Sequence, residues 1–188
     1  MTPLPPRLSL VRLHDVAPVP WRNGGGVTRE LACAPGDEWR WRISVAEVAR
    51  DGPFSRFDGV QRWFAVLQGA GVCLNIDGHG HRAGTLDAPL HFDGAADTDC
   101  RLVDGFTLNF NLMVRAASAA SARVERLRTH ALRTPAQQST MGVYAIEATQ
   151  LAVGDHTLQL PAHSLLWGQV AQTVALQGRH ALYLEIDP

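Results

Sequence analysis

Apolar and polar residues alternate over short windows along most of the chain, and few windows sustain an apolar period of three to four residues, so the elements predicted are strands. From Trp39 to Val48 the run WRWRISVAEV sets Trp41, Ile43 and Val45 on one face and Arg42, Ser44 and Ala46 on the other. Asp51-Gly52-Pro53 closes this strand as a turn. Arg62–Gln68 and Gly71–Ile76 read as the next two strands, and Asp77-Gly78 as the hairpin turn that follows them. In Phe106–Arg115, Phe106, Leu108, Phe110 and Leu112 alternate against Thr107, Asn109, Asn111 and Met113. These four segments are expected in one antiparallel barrel. Further on, Val143–Ala152, His156–Leu160, Ser164–Trp167 and Ala181–Ile186 again read as short strands separated by Gly, Asp and Pro.

Between the two sets of strands lies Ala116–Ala122, AASAASA, the one compositional break, whose small residues suit a linker or a helical turn. It serves as the seam between two halves, 1–118 and 119–188, and the helix propensity of Ala116–Arg128 is expected to yield to strand after Ala122. No short-period repeat is present, which argues against a solenoid or a propeller.

Composition narrows the function classes. The 188 residues are 46% hydrophobic and 19% charged with a formal net charge of -1, an ordinary globular balance. All 17 basic residues are Arg, so the lysine amine that Schiff-base enzymes and P-loops need is absent. No Arg-rich block offers a basis for nucleic-acid or anionic-membrane binding. Cys33, Cys73 and Cys100 lie far apart, which fits neither a disulfide framework nor a zinc knuckle and suits a reducing, cytoplasmic location. Prolines interrupt the N-terminal stretch where a signal peptide needs an apolar run, and no segment approaches membrane-spanning length.

The most distinctive stretch is Trp21–Glu30, WRNGGGVTRE. Its glycines let the backbone approach a ligand closely, which makes Trp21, Asn23, Gly24, Gly25 and Thr28 candidate ligand contacts; a tight turn between two strands is the plainer reading. Arg42, Ser44 and Arg62 stand at alternating positions inside strands, and Arg is the side chain suited to bidentate recognition of a carboxylate. They could equally face solvent or pair with Glu30, Glu47 and Asp58. His79 and His81 share a strand face at a spacing that chelates Zn or Fe, but glycines flank His79 and no acidic third ligand is at hand, so a solvated turn is expected. No serine sits in a nucleophile elbow.

Taken together, WRNGGGVTRE, then WRISVAEV followed by DGPFSRFDGVQRWFAVLQG, then FNLMVR resemble the HutD/Ves family of bacterial bicupins over about residues 10 to 188. That resemblance implies an all-β chain of two cupin-like, RmlC-like jelly-roll barrels, with the first strands open to exchange between them. It also implies an association with histidine utilisation, no firmly established activity, and a suggested role in sensing or binding a pathway metabolite. One departure stands out: the family's usual Arg-Asp-Phe-Asn stretch reads Leu108-Asn109-Phe110-Asn111 here, which removes any acidic role at position 109.

The cupin metal motif can be laid over this sequence through the Val66-Leu67-Gln68-Gly69 ending of its Glu-bearing strand, which puts Arg62 at the Glu place. The His-x-His places then fall on Ser55 and Phe57, or on Phe54 and Arg56, and the fourth on Gly94. No ligand place keeps a ligand, so the resemblance implies a first barrel without metal or other cofactor, with Arg62, Phe64 and Val66 aimed inward. The expectation is a protein that binds a small carboxylate through Arg42, Ser44, Arg62 and Asn111, walled by Trp21, Phe57 and Phe64, with no catalytic residue assigned. The second barrel is mainly structural, and a homodimer is left open. The rival from the enzyme class takes Glu30, Glu47 or His91 as a general base; a partner protein with a vestigial pocket is the third reading.

Overall fold

The computed structural model describes residues 7–34, 36, 39–116, 121–178 and 180–187. Its strands, in chain order, are β1 (Leu8–Arg12), β2 (Val19–Pro20), β3 (Gly26–Cys33), β4 (Trp41–Val48), β5 (Gly52–Pro53), β6 (Val60–Gln68), β7 (Val72–Ile76), β8 (His79–Ala83), β9 (Leu90–Asp93) and β10 (Thr98–Leu102). They continue with β11 (Thr107–Arg115), β12 (Ala122–Leu127), β13 (Ala131–Arg133), β14 (Thr140–Ala145), β15 (Thr149–Val153), β16 (His156–Leu160), β17 (Ser164–Gly168), β18 (Val174–Gln177) and β19 (Ala181–Ile186). The fold is all-β with almost no helix; a 3-10 turn spans Leu13–Asp15. No helix among the described residues is long and apolar enough to cross a membrane.

Two compact units are formed, Val16–Ala119 and Met1–Asp15 with Ala120–Pro188. The first unit has a six-stranded sheet ordered β2-β3-β4-β11-β6-β9 and a four-stranded sheet ordered β5-β10-β7-β8. Phe64, Val66, Val72, Leu74, Ala83, Phe92 and Cys100 come from both sheets and form its buried cluster. The second unit has sheets ordered β1-β17-β14-β19-β12 and β13-β18-β15-β16, over a core that includes Met141, Val143, Leu151, Leu158, Leu166 and Tyr183. Strand for strand, β12 to β19 repeat the sheet positions of β4 to β11.

Most of the expected strands are present, with shifted ends. Three of the four assigned to one barrel, now β4, β6 and β11, are neighbours in a single sheet, and β7 lies in the other sheet of the same unit. The Asp77-Gly78 turn joins β7 to β8 with positive φ at both residues (48° and 84°), the backbone a tight two-residue hairpin requires.

Three expectations are corrected. Val143–Ala152 is not one strand but parts of β14 and β15, because Ile146, Glu147 and Ala148 leave the ladder where Ile146 and Glu147 donate backbone N–H bonds to the His180 carbonyl. Phe106 lies just outside β11 and is exposed. Residues 7–15, placed in the first half by chain order with the first strands open to exchange, go with the second unit: the edge of β17 has free hydrogen-bonding groups, and Leu8–Arg12 pairs along it from Gly168 to Ser164. Most of the Ala116–Ala122 seam, residues 117–120, lies outside the described residues, and Ala122–Leu127 is strand.

Candidate functional site

Antiparallel register decides which side chains of the six-stranded sheet meet. On the central strand, Met113 pairs with Arg42 of β4 and Arg62 of β6, and Asn111 pairs with Ser44 and Phe64. Residues directly opposite one another share a face, so these rows project together. They line a cavity of about 140 Å³ that is completed by Trp21, Asn23 and Thr28 from the β2–β3 connection and by Phe54, Ser55 and Phe57 from the loop after β5. Its inner part is made by the buried Phe64, Asn109 and Asn111, and Asn23, Pro53 and Ser55 are exposed at its rim. Burial on both faces of β4 and β11 explains why alternation alone left the direction of the arginines open.

Two cations dominate this lining. Arg62 is only 5% exposed, and its hydrogen bonds go to neutral acceptors, Asn111 Oδ1 at 3.1 Å and the Ser55 carbonyl at 3.5 Å. Its guanidinium lies 5.0 Å from the Phe54 ring and 5.2 Å from the Phe92 ring, and its Nε has no partner. Arg42 is half-buried, points Nη2 at the Met113 sulfur at 3.3 Å, and likewise leaves Nε without a partner. The Phe57 ring is 5.7 Å from the Arg42 guanidinium and 6.0 Å from that of Arg62. Burial, reinforced by the nearby charge of Arg42, lowers the Arg62 pKa from 12.5 to about 10, which leaves it cationic at neutral pH. Among the described residues neither arginine forms an ion pair, so the alternative pairing with Glu30, Glu47 and Asp58 does not occur. A buried cation with neutral partners only is costly, and an anion entering the cavity would relieve the cost.

The glycine-rich connection is turn and cavity wall at once. Trp21 Nε1 donates to Thr28 Oγ1 at 2.7 Å, which fixes the indole in the cavity wall, and the Gly25 N–H donates to Asn23 Oδ1 at 3.0 Å. Gly24 sits at φ 67°, and a Cβ on Gly26 would lie 2.2 Å from the Glu47 carbonyl oxygen. Of the residues singled out in the sequence, Trp21, Asn23 and Thr28 line the cavity, together with Arg42, Ser44, Phe57, Arg62, Phe64 and Asn111. Gly24 and Gly25 do not: their backbone polar groups close the turn.

Sequence reasoning missed Phe54, Asn109 and Met113 as lining residues. Alternation already put Asn109 and Met113 on the Asn111 face, whereas Phe54 reaches Arg62 through a loop whose path no local pattern discloses. The Asn109 Oδ1 is buried without a partner while its amide donates to Thr107. Gly94, at the fourth metal-ligand place, serves the backbone instead, accepting the Phe57 N–H and donating to the Val60 carbonyl, which holds the Phe57 loop against the sheet.

The lining does not fit a metal. It contains no Asp, Glu, His or Cys, and two guanidiniums would repel a cation. His79 and His81 are exposed on β8, and no group of three or more metal-ligating residues forms among the described residues. None of the three candidate general bases lines the cavity either. Glu30 is exposed, Glu47 lies on the opposite face of β4 from Ala46, and His91 stacks on Trp63 with ring centroids 4.3 Å apart.

Comparison with known proteins bears on the family and the fold. The HutD family model matches residues 13–184. The chain is 38% identical over 110 residues to an uncharacterised 21.2 kDa protein from the hutC 3′ region of Pseudomonas putida, a match that covers 57% of this chain and 58% of that one. It is 36% identical over 102 residues to protein Ves of Escherichia fergusonii, covering 52% and 53%. The chain thus spans about half the length of the curated relatives it matches. Among solved structures, HutD from Pseudomonas fluorescens SBW25, determined in a formate condition, superposes with a TM-score of 0.84 at 28% identity over 96% of this chain and 98% of that one. Protein Ylba from E. coli (TM-score 0.73, 97% and 91% covered) and a salicylate 1,2-dioxygenase from Pseudoaminobacter salicylatoxidans (0.65, 98% and 83% covered) are each 10% identical and share the cupin-like fold alone.

Proposed function

The chain belongs to the HutD family, and from that premise we propose that it binds a small carboxylate in the cavity of its first unit, in a sensing or regulatory role connected with histidine utilisation, without metal and without turnover. In this reading each unit is one cupin-like barrel and the second is mainly structural. One observation carries it: Arg62 is buried as a cation with only neutral partners, beside a second guanidinium and a cavity into which both face. A carboxylate there would accept charge-assisted hydrogen bonds from Arg42 and Arg62 while Trp21, Phe57 and Phe64 exclude water. A space of about 140 Å³ is close to the roughly 150 Å³ that holds a benzene molecule, so it takes a headgroup with a few further atoms. A longer acid would extend past Asn23, Pro53 and Ser55.

Calorimetric titration and thermal-shift screening with formate, acetate, urocanate, formiminoglutamate and formylglutamate test this. Replacing Arg62 with Ala should cost a bound acid about 2–5 kcal/mol, the range for removing one partner of a buried charge pair. Arg62→Lys should also bind poorly, because an ammonium has no bidentate fork. An Arg62→Ala protein that binds a confirmed acid as tightly as the parent would exclude this cavity and move attention to the Gly24–Gly26 loop.

A further inference from the structure

The repeated strand order lets the two units be compared row by row, each within itself. In the first, the central strand β11 is flanked by β4 and β6, and one row reads Arg42–Met113–Arg62. In the second, β19 is flanked by β12 and β14, the strands in the corresponding sheet positions, and one row reads Arg123–Glu185–Met141. Arg42 and Arg123 are each the second residue of their strand. With those two matched, Glu185 stands where the first unit has Met113, and Met141 where it has Arg62. The neighbouring rows then follow, Ser44–Asn111–Phe64 against Glu125–Tyr183–Val143.

Glu185 is a buried carboxylate, 4% exposed, held as a bound acid would be. It accepts from Arg123 Nη2 at 2.6 Å, Tyr183 Oη at 2.9 Å, the Ala136 N–H at 2.6 Å and Ser139 Oγ at 3.0 Å. Four donors converging on one carboxylate, one of them a backbone amide and one a guanidinium, make a complete anion cradle. It borders a space of about 310 Å³ lined by Ser121, Thr134 and Asp187 among others, so a small ion can reach it. The cavity lining of the first unit offers two guanidiniums and no carboxylate.

We propose that the two units carry one carboxylate site in two states, filled in the second by the chain's own Glu185 and left open in the first, so that the acid headgroup of the first unit's ligand seats beside the Met113 side chain. The statement about the first unit rests on the reading of its cavity given above; the statement about Glu185 does not. Arg42 Nη2 already lies 3.3 Å from the Met113 sulfur, which marks where a carboxylate carried on that position would sit.

Glu185→Ala empties the cradle and leaves its donors unsatisfied, and Tm should fall by roughly 5 °C or more. Sodium formate or acetate should then restore Tm saturably in the variant and far less in the parent, with sodium chloride at equal ionic strength without effect. The reciprocal change, Met113→Glu, supplies the missing carboxylate in cis. Its Tm should exceed that of Met113→Gln, and it should no longer bind any acid that the parent binds. If Glu185→Ala does not fold, the Met113 pair decides. A folded Glu185→Ala protein indifferent to formate and acetate overturns the proposal, as does a Met113→Glu protein no more stable than Met113→Gln. If the parent binds no acid at all, the carboxylate-binding function falls while the Glu185→Ala rescue and the Met113 stability comparison still judge the two-state site.

Discussion

Arg62→Met should make the unliganded protein more stable, although it removes a buried hydrogen bond. Folding lowers the Arg62 pKa from 12.5 to about 10, so at neutral pH the folded chain carries the whole cost of the buried charge, and that cost fades only as pH rises above about 10. At 1.36 kcal/mol per pKa unit, the fall corresponds to about 3 kcal/mol. Against this, Asn111 Oδ1 loses its donor, about 1 kcal/mol, and the contacts of the cation with the Phe54 and Phe92 rings are lost, about 1 kcal/mol more. Methionine is apolar, unbranched and able to fill the space left among those rings. The net gain is about 1 kcal/mol, or about 2–4 °C in Tm for a chain of this size. Urea and thermal unfolding at pH 7, in buffer free of carboxylates, measure it. A variant clearly less stable than the parent would mean that the arginine is there to hold the fold, and the inference from buried charge to ligand would fail with it.

Three further outcomes follow from the same geometry. Formate or acetate that raises the parent's Tm should leave the Arg62→Met protein unmoved, as read by thermal shift. Gly26→Ala drives a Cβ to 2.2 Å from the backbone oxygen of Glu47 and 3.3 Å from the Trp21 ring, so the urea midpoint should drop by the equivalent of about 2 kcal/mol or more; an unchanged midpoint would show that the hairpin has another conformation. Burial alone would raise the Glu185 pKa, but the Ala136 N–H, Tyr183, Arg123 and Ser139 outweigh it and hold it below 4.5; the stability it contributes is therefore present above pH 4.5 and lost as pH falls through the folded value. The parent's Tm should fall more steeply than that of Glu185→Gln below about pH 4.5, and parallel curves would contradict the network.

Local chemistry made several features legible in the sequence alone. A period of two assigned β4 and β11 and put Asn109, Asn111 and Met113 on one face, because neighbouring side chains in a strand must point apart. Asp77-Gly78 announced its hairpin because few residues tolerate two consecutive positive φ angles. Arg62 stood out because a guanidinium is an unusual neighbour for the apolar run Trp-Phe-Ala-Val-Leu that follows it in the strand. Other features depend on which distant segments pair, and no local pattern records that choice. Free edge groups on β17 drew Leu8–Arg12 into the second unit, and the loop held by Gly94 brought Phe57 to the arginines. Glu185 reads as one acidic residue in an apolar strand, ALYLEI, and only register and the return of the Ala136–Ser139 segment surround it with donors. The sequence by itself determined the all-β class, several of the strands and the residue types available for chemistry. Tertiary structure decided which charges are paired, because pairing of a buried charge is set by register and loop path across residues far apart in the chain.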